Sequence, residues 1–325
     1  LTVVNTNDDP TAVSLSATAI DENNSGAIVG TLSTDDVDII HGDTHSYSIS
    51  GTDAASFEIM NDQLKLKDNI SANYEVKDSY EIRITSTDSS GSNIPEIFSI
   101  GISDVNDTPE MTSASTFNAD ENQTTVDTVV ASDEDGDTLV YSLSGTDQAF
   151  VNISSSTGAI TFKAAPNYEL KNIYSLTVSI SDGQASISKP ITINIQDVND
   201  VPVMTSASSF NADENQIAVD TLTASDEDGD TLAYSLSGTD ASSFSVNAST
   251  GVITFTSAPD YETKNSYSLT VSVSDGSLNN SQSLLVSVNN LNDNIPEVTS
   301  QSSFIANENQ TAVGIVSAND ADGDN

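Results

Sequence analysis

The side chains of this chain that could do chemistry are almost all carboxylates, and they recur at fixed spacing. Glu-Asn dipeptides stand at Glu22, Glu121, Glu214 and Glu308, separated by 99, 93 and 94 residues. Asn-Asp recurs at Asn7, Asn106, Asn199 and Asn292 (99, 93 and 93), and Tyr-Glu at Tyr74, Tyr168 and Tyr261 (94 and 93). Three independent markers therefore share one period. Within a period the acids gather in clusters: Glu121-Asn122, Asp133-Glu-Asp135-Gly-Asp137, Asn167-Tyr168-Glu169, Ser181-Asp182-Gly183 and Asp197-Val-Asn-Asp200. Hard oxygen donors without Cys, and away from His, suit Ca²⁺, which takes about six to eight oxygens including backbone carbonyls. His41 and His45 flank the irregular loop of the first period and read as surface loop residues, with contact to a metal the minor alternative.

Composition narrows the classes. Against 49 Asp+Glu the 325-residue chain carries 8 Lys+Arg, a formal net charge of −41, so nothing could neutralise phosphates and nucleic acid is excluded as a partner. Without Cys there are no disulfides, thiolate catalysis or Cys-ligated zinc, and without Trp there is little to stack a base or sugar. A hydrophobic fraction of 36% still allows buried cores. No apolar run approaches the roughly 18 to 20 residues that span a bilayer, and the first residues lack a signal-like pattern, so an export signal or anchor is expected outside this segment. Asp/Glu pairs can serve a glycosidase, but a copy in every period argues against a single active site and hence against an enzyme. A merely solvated acidic surface would account for the charge but not the spacing. Asp-x-Asp-Gly-Asp resembles the start of an EF-hand loop, yet it lacks the Gly at the sixth position and a flanking helix.

The elements that must position these acids read as strands. Tyr174 to Ile180, Tyr267 to Val273 and Tyr80 to Ile84 alternate apolar and small polar residues, the period of a half-buried antiparallel strand, and no stretch carries a helical period. Phe150 to Phe162 around Ser156-Thr157-Gly158 reads as a hairpin, repeated from Phe244 to Phe255 around Thr250-Gly251. In the first period Asn61-Asp62 replaces the Thr-Gly turn. About seven short strands per period of some 93 residues predict an all-β chain of immunoglobulin-like sandwiches. The expected divisions are 1–9 (the tail of a preceding unit), 10–108, 109–201, 202–294 and 295–325 (the opening of a further unit), as in a window of a longer array.

These motifs, in this order and at this period, resemble tandem cadherin repeats along essentially the whole chain. The early Glu corresponds to Glu22, Glu121, Glu214 and Glu308. The family's Leu-Asp-Arg-Glu type motif corresponds to Asn73-Tyr74-Glu75, Asn167-Tyr168-Glu169 and Asp260-Tyr261-Glu262. The linker is matched by Asp104-Val-Asn-Asp107, Asp197-Val-Asn-Asp200, Asn290-Leu-Asn-Asp293-Asn294 and, more weakly, Asn5-Thr-Asn-Asp8. The Asp-x-Asp motif matches Asp36/Asp38, Asp133/Asp135, Asp226/Asp228 and Asp320/Asp322, and the late Asp matches Asp88, Asp182 and Asp275.

The resemblance implies Ca²⁺ held between consecutive repeats. At the first complete junction Glu22, Glu75, Asn106 and Asp107 would join Asp133, Asp135 and Asp182, whose six acids three divalent ions would balance. At the second, Glu121, Glu169, Asn199 and Asp200 would join Asp226, Asp228 and Asp275. At the third, Glu214, Asp260, Glu262, Asn292 and Asp293 would join Asp320 and Asp322. Asp8, Asp36, Asp38 and Asp88 would serve a junction ahead of the first full repeat. Asn73 and Asn167 replace an Asp ligand, which puts the outermost ion at the first two junctions in question. Lys77, Lys171 and Lys264, each two residues after a Tyr-Glu, are the nearest cations, and one per junction leaves most of the charge unmet. The implied molecule is a calcium-rigidified rod in the stalk of a large extracellular or cell-surface adhesin. The alternative is direct recognition, of other copies of the array or of polysaccharide. Few Lys and near-identical Ser/Thr/Asn-rich repeats point to a bacterial surface protein.

Overall fold

Alternating strands can bury one face only against a second sheet, and the computed structural model, which describes residues 6–323, solves this with repeated sandwiches. In the first, one sheet orders Ala12–Leu15, Ile28–Asp35, Gln63–Leu66 and Phe57–Met60, and the other Ala19–Asp21, Asn93–Ser103, Ser79–Thr87 and Ser46–Ser50. Between them lie Leu64, Leu66, Ile82, Ile84 and Ile100, each at most 1% exposed. Each such side chain contributes about 1.5 to 3 kcal/mol by leaving water. The third period repeats the plan: Ser209–Asp213, Asn279–Asn289, Ser266–Ser274 and Ala233–Ser237 face Ala218–Thr221, Val252–Phe255 and Phe244–Val246 across Ile253, Val271, Val273, Leu284 and Val286. In the second period Thr116–Asp120, Ser186–Gln196, Ile173–Ser181 and Val140–Ser144 form one sheet, in which the two long strands pair from Ile173↔Asn194 to Ser181↔Ser186, and Thr125–Thr128, Ala159–Phe162 and Val151–Ile153 form the other.

The backbone clusters into two units. One holds the chain up to Ala119 with Gln123–Ala165 and Ile173–Asn194; the other holds Asp120–Asn122, Pro166–Asn172 and the chain from Ile195 onward. Among the described residues the only helices are single 3₁₀ turns such as Val37–His41 and Ala54–Ser56. The first five residues, Asn5 of the weak linker match among them, and the last two lie outside the described residues.

The expected hairpins form with small shifts. Val151 pairs with Phe162 and Phe244 with Phe255; Phe150, expected to open the second-period hairpin, stands half exposed with its ring 5.8 Å from that of Tyr174. In the first sandwich Asn61 and Asp62, at φ 52° and 62°, form the two-residue turn joining Phe57–Met60 to Gln63–Leu66, both in the left-handed region that such hairpins need.

One pairing matters for the acids. Ala19–Asp21 runs parallel to Asn93–Ser103, with Ala19 opposite Gly101, and Ser209–Asp213 runs parallel to Asn279–Asn289, with Asp213 opposite Asn289. A parallel pair ends both strands at the same pole. Glu22 and Glu214, each one residue past the early strand, therefore emerge beside the linkers that leave the last strand.

Candidate metal centres

The early Glu is the innermost acid. Glu22, Glu121 and Glu214 are 2%, 2% and 1% exposed. Glu22 accepts from the backbone N–H of Tyr74 (2.6 Å) and of Val105 (2.8 Å), and so ties the Tyr-Glu turn to the linker. Glu121 does the same with Tyr168 and Val198 (2.8 and 2.9 Å), and Glu214 with Tyr261 and Leu291 (2.8 and 2.7 Å). The Asn that follows each one has a structural reason to recur: Asn23, Asn122 and Asn215 sit at φ 61°, 60° and 63°, where Asn is tolerated best after Gly. Their amides donate to the linker carboxylates of Asp107, Asp200 and Asp293.

The linkers grip the following segment in one pattern. Asn106 donates to Asp182 (3.0 Å) while the N–H of Asp107 donates to Asp135 (2.6 Å). Asn199 donates to Asp275 (2.9 Å) and Asp200 to Asp228 (2.6 Å). Asn7 donates to Asp88 (2.9 Å) and Asp8 to Asp38 (2.5 Å), which places the early acids Asp8, Asp38 and Asp88 in the same arrangement. At the last linker the contact slips by one residue. Asn294 donates to Asp322 through its backbone (2.8 Å) and its amide (3.0 Å), and Asp293 donates at 3.1 Å.

These ties bring carboxylates together. Oxygens of Glu22, Glu75, Asp107 and Asp135 lie within 4.8 Å of one another, as do those of Glu121, Glu169, Asp200 and Asp228, and those of Glu214, Glu262, Asp293 and Asp322. Asp133, Asp135 and Asp137 form a further group that shares Asp135 with the first. Several oxygens aimed inward have no donor: Asp107 Oδ2, Asp133 Oδ2 and Asp135 Oδ1 with Asn106 Oδ1, and at the next cluster Asp200 Oδ2, Asp226 Oδ2 and Asp228 Oδ1. A buried acceptor left without a partner costs about 1 to 3 kcal/mol. It recurs at equivalent positions of the first two clusters, an arrangement compatible with a cation. Oxygen donors of this kind fit Ca²⁺.

Titration follows the same map. Burial, then Asp135 and Glu22, holds Asp104 above the usual carboxylate range, and burial with Asp228 and Glu121 does so for Asp197. Burial likewise raises Asp107 and Asp200 against the amides of Asn23 and Asn122. Glu75 and Glu169 each feel a downward pull from a backbone hydrogen bond, but burial and the surrounding carboxylates leave both raised; Glu262 is raised by burial first. The late acids go the other way. The amides of Asn7, Asn106 and Asn199 lower Asp88, Asp182 and Asp275, and the Asn294 amide lowers Asp322.

Some expected positions fall elsewhere. Asp260 accepts from the N–H and hydroxyl of Thr263 within its own turn, and Asp320 accepts from the N–H of Asp322; neither joins the Glu214 cluster. Asn73 and Asn167 accept from Val76 and Leu170 through Oδ1, so that oxygen is already engaged, and their amides reach Glu134 and Glu227. Glu308 is exposed. Lys77 and Lys264 do not offset the clusters: they pair with Asp53 and Asp240 at 2.5 Å and lie over the rings of Tyr80 and Tyr267. His45 is not a surface residue. Its side chain is 7% exposed and its Nε2 lies 3.1 Å from Asp36 Oδ2, whereas His41 is exposed. Asp104 and Asp197 were visible in the linker motif, but only packing shows them facing Asp135 and Asp228.

Comparison with known proteins agrees with this architecture. Residues 208–289 match the model of the cadherin domain, and residues 106–196 that of a bacterial Ig domain. Over 163 residues the chain is 36% identical to protocadherin Fat 4 of Homo sapiens, a match that covers 45% of this chain and 3% of that protein. The crystal structure of human CDH23 EC21-23 superposes with a TM-score of 0.60 at 20% identity, covering 82% of this chain and 96% of that one. The protocadherin gamma B2 extracellular cadherin domains 3-6 superpose with a TM-score of 0.51 at 22% identity, covering 95% and 83%. At such identities the likeness is one of fold. With five motifs recurring in order on these sandwiches, the fold is that of tandem cadherin β-sandwich repeats, and residues 208–289 match the cadherin domain model itself.

Proposed function

We propose that the carboxylate clusters bind Ca²⁺ and that the ions stiffen the array as the stalk of an extracellular adhesin, with repeats divided near residues 108, 201 and 294. The observation that carries this reading is the set of buried, donor-free carboxylate oxygens at Asp107, Asp133 and Asp135, recurring at Asp200, Asp226 and Asp228. Two carboxylates about 4 Å apart repel by roughly 4 kcal/mol at an effective dielectric near 20, and each cluster brings four together. Without divalent cations the linker segments are therefore pushed off their partners. Glu22, Glu75, Asp104, Asp107, Asp133 and Asp135 would hold the ions at the first linker, and their counterparts would do so at the next two. Extracellular modules bind Ca²⁺ with dissociation constants of about 10⁻⁴ to 10⁻³ M. A tenfold excess over such a constant stabilises the bound form by about 1.4 kcal/mol per site, which suits millimolar calcium outside cells. Repetition of one unit without a singular cleft favours a spacer over an enzyme.

Small-angle scattering with and without chelator tests the reading. The maximum dimension should be defined in millimolar calcium and should broaden and shorten when calcium is withdrawn. An unchanged profile, with no calcium uptake by dialysis, overturns it. The same scattering at rising concentration reads association between copies.

A further inference from the structure

The first sandwich carries one cluster unlike the others. Ligand atoms of Asp36, Asp43 and His45 lie within 4.8 Å of one another, in a chain whose remaining such groups consist of oxygen donors alone among the described residues. His45 directly precedes the strand Ser46–Ser50; the residues that directly precede the equivalent strands Val140–Ser144 and Ala233–Ser237 are Leu139 and Leu232. An imidazole therefore stands where the other repeats place an aliphatic side chain. Its surroundings are built rather than open. The His45 side chain is 7% exposed and that of Asp36 is 0% exposed, and Asp36 Oδ1 is held by the N–H of Asp38 at 2.8 Å. Asp43 Oδ1 accepts from the N–H of Thr44 (2.8 Å) and from Ser89, which leaves Oδ2 buried and without any donor. Three extra residues in this loop produce the 3₁₀ turn Val37–His41, capped by Gly42 at φ 97°, and the turn carries Asp43 toward Asp36. A cavity of about 250 Å³, lined by Asp38, His41, Asp43 and Ser89 among others, adjoins it and leaves room for water.

We propose that Asp36, Asp43 and His45 form a single transition-metal site, selective for an ion of the Zn²⁺ class, in the first repeat only. Two carboxylates facing one another beside a buried imidazole, with one oxygen unpartnered, make the donor set of an N/O site with three protein ligands and open positions for water. Imidazole nitrogen suits Zn²⁺ and its neighbours in the first transition row, whereas Ca²⁺ takes oxygen. Asp36 is shared with the Asp-x-Asp motif, so the imidazole decides between the ions there: a metal of the Zn²⁺ class gains the nitrogen and Ca²⁺ does not.

The test is made on the whole chain at saturating calcium, so that the oxygen clusters are filled before Zn²⁺ is added. Dialysis with elemental analysis should count one Zn²⁺ per chain, and Co²⁺ should give a visible absorption band that Zn²⁺ abolishes. His45→Leu, which installs the residue type of the second and third repeats, should remove that ion and the band while leaving the calcium response intact. Asp43→Asn should lower Zn²⁺ affinity by at least about tenfold, the lower end of the loss seen when even a supporting partner of a metal ligand is removed. His45→Gln serves as a second variant if His45→Leu does not fold. Absence of Zn²⁺ uptake by the unmodified chain at saturating calcium overturns the proposal and marks the trio as a buried imidazole–carboxylate pair. Unchanged uptake by both His45 variants also overturns it. A failed calcium response would count against the oxygen clusters instead.

Discussion

Glu75 and Glu22 belong to one cluster, yet neutralising them should have opposite effects. Both oxygens of Glu22 already accept backbone N–H groups, so Glu22→Gln turns an amide N–H₂ toward a buried donor. In chelator this should cost about 1 to 3 kcal/mol, the price of one unsatisfied buried group, read by urea unfolding. Glu75 is held above its usual range by burial and by Glu22, Asp135 and Asp104, which outweigh its own backbone hydrogen bond. Glu75→Gln should therefore raise the midpoint in chelator and lower calcium affinity at the first linker. A drop in chelator would show that repulsion does not dominate there.

The same balance sets a pH dependence. Glu75, Asp104, Asp107, Glu169, Asp197, Asp200 and Glu262 have raised values. A group raised on folding gives stability that is complete below its unfolded value, about 4, and is lost as pH rises through the folded value. Asp88, Asp182, Asp275 and Asp322 are lowered, and their contribution disappears only as pH falls below the ordinary range. In divalent-free buffer the thermal midpoint should thus increase as pH falls from 7 toward 5. In millimolar calcium that increase should vanish, because protons and calcium compete for the same oxygens.

At the scale of elements, the hairpins and parallel pairs position the acids, and their weak points can be named. Gly158 and Gly251 both sit at φ 72°, and a Cβ on either would lie 2.2 Å from a backbone oxygen, that of Val129 or Leu222. Gly251→Ala should cost more than about 1 kcal/mol, because Ala is strained at that φ and the backbone must move. Gly183, at φ 103° in open space, should lose less on the same change. Denaturant midpoints of the two variants decide the order. Lys77 braces Asp53 at the foot of the strand Ser79–Thr87 rather than serving the clusters. Lys77→Met should cost below about 1 kcal/mol, as for an exposed ion pair, and should leave calcium affinity unchanged.

For the molecule as a whole, a net charge of −41 works against the folded state wherever it is concentrated. Monovalent salt screens exposed charges beyond about 10 Å at 0.1 M. Half-molar NaCl should therefore recover part of the stability lost in chelator and add little in calcium; equal effects in both would place the repulsion outside the clusters. How much of this was legible beforehand depends on range. Strand alternation, the hairpin turns, the all-β class and the period were readable because they depend on neighbours within a few residues or on simple recurrence. The membership of each cluster depends on contacts about 28 to 84 residues apart, such as Asp107 with Asp135 or Asn23 with Asp107. Copying a family pattern supplied most of these positions. It did not single out Asp104, said nothing of the turns in which Asp260 and Asp320 accept hydrogen bonds, and left His45 on the surface.

From the chain alone, then, came the repeated sandwich and the kind of ion its acids would suit, since both follow from residue type and recurrence. Which oxygens converge, which lack a donor, and that one imidazole lies buried beside two carboxylates were decided only by tertiary packing. Parallel pairing brings the early Glu and the linker to the same pole, and no local pattern encodes that distance.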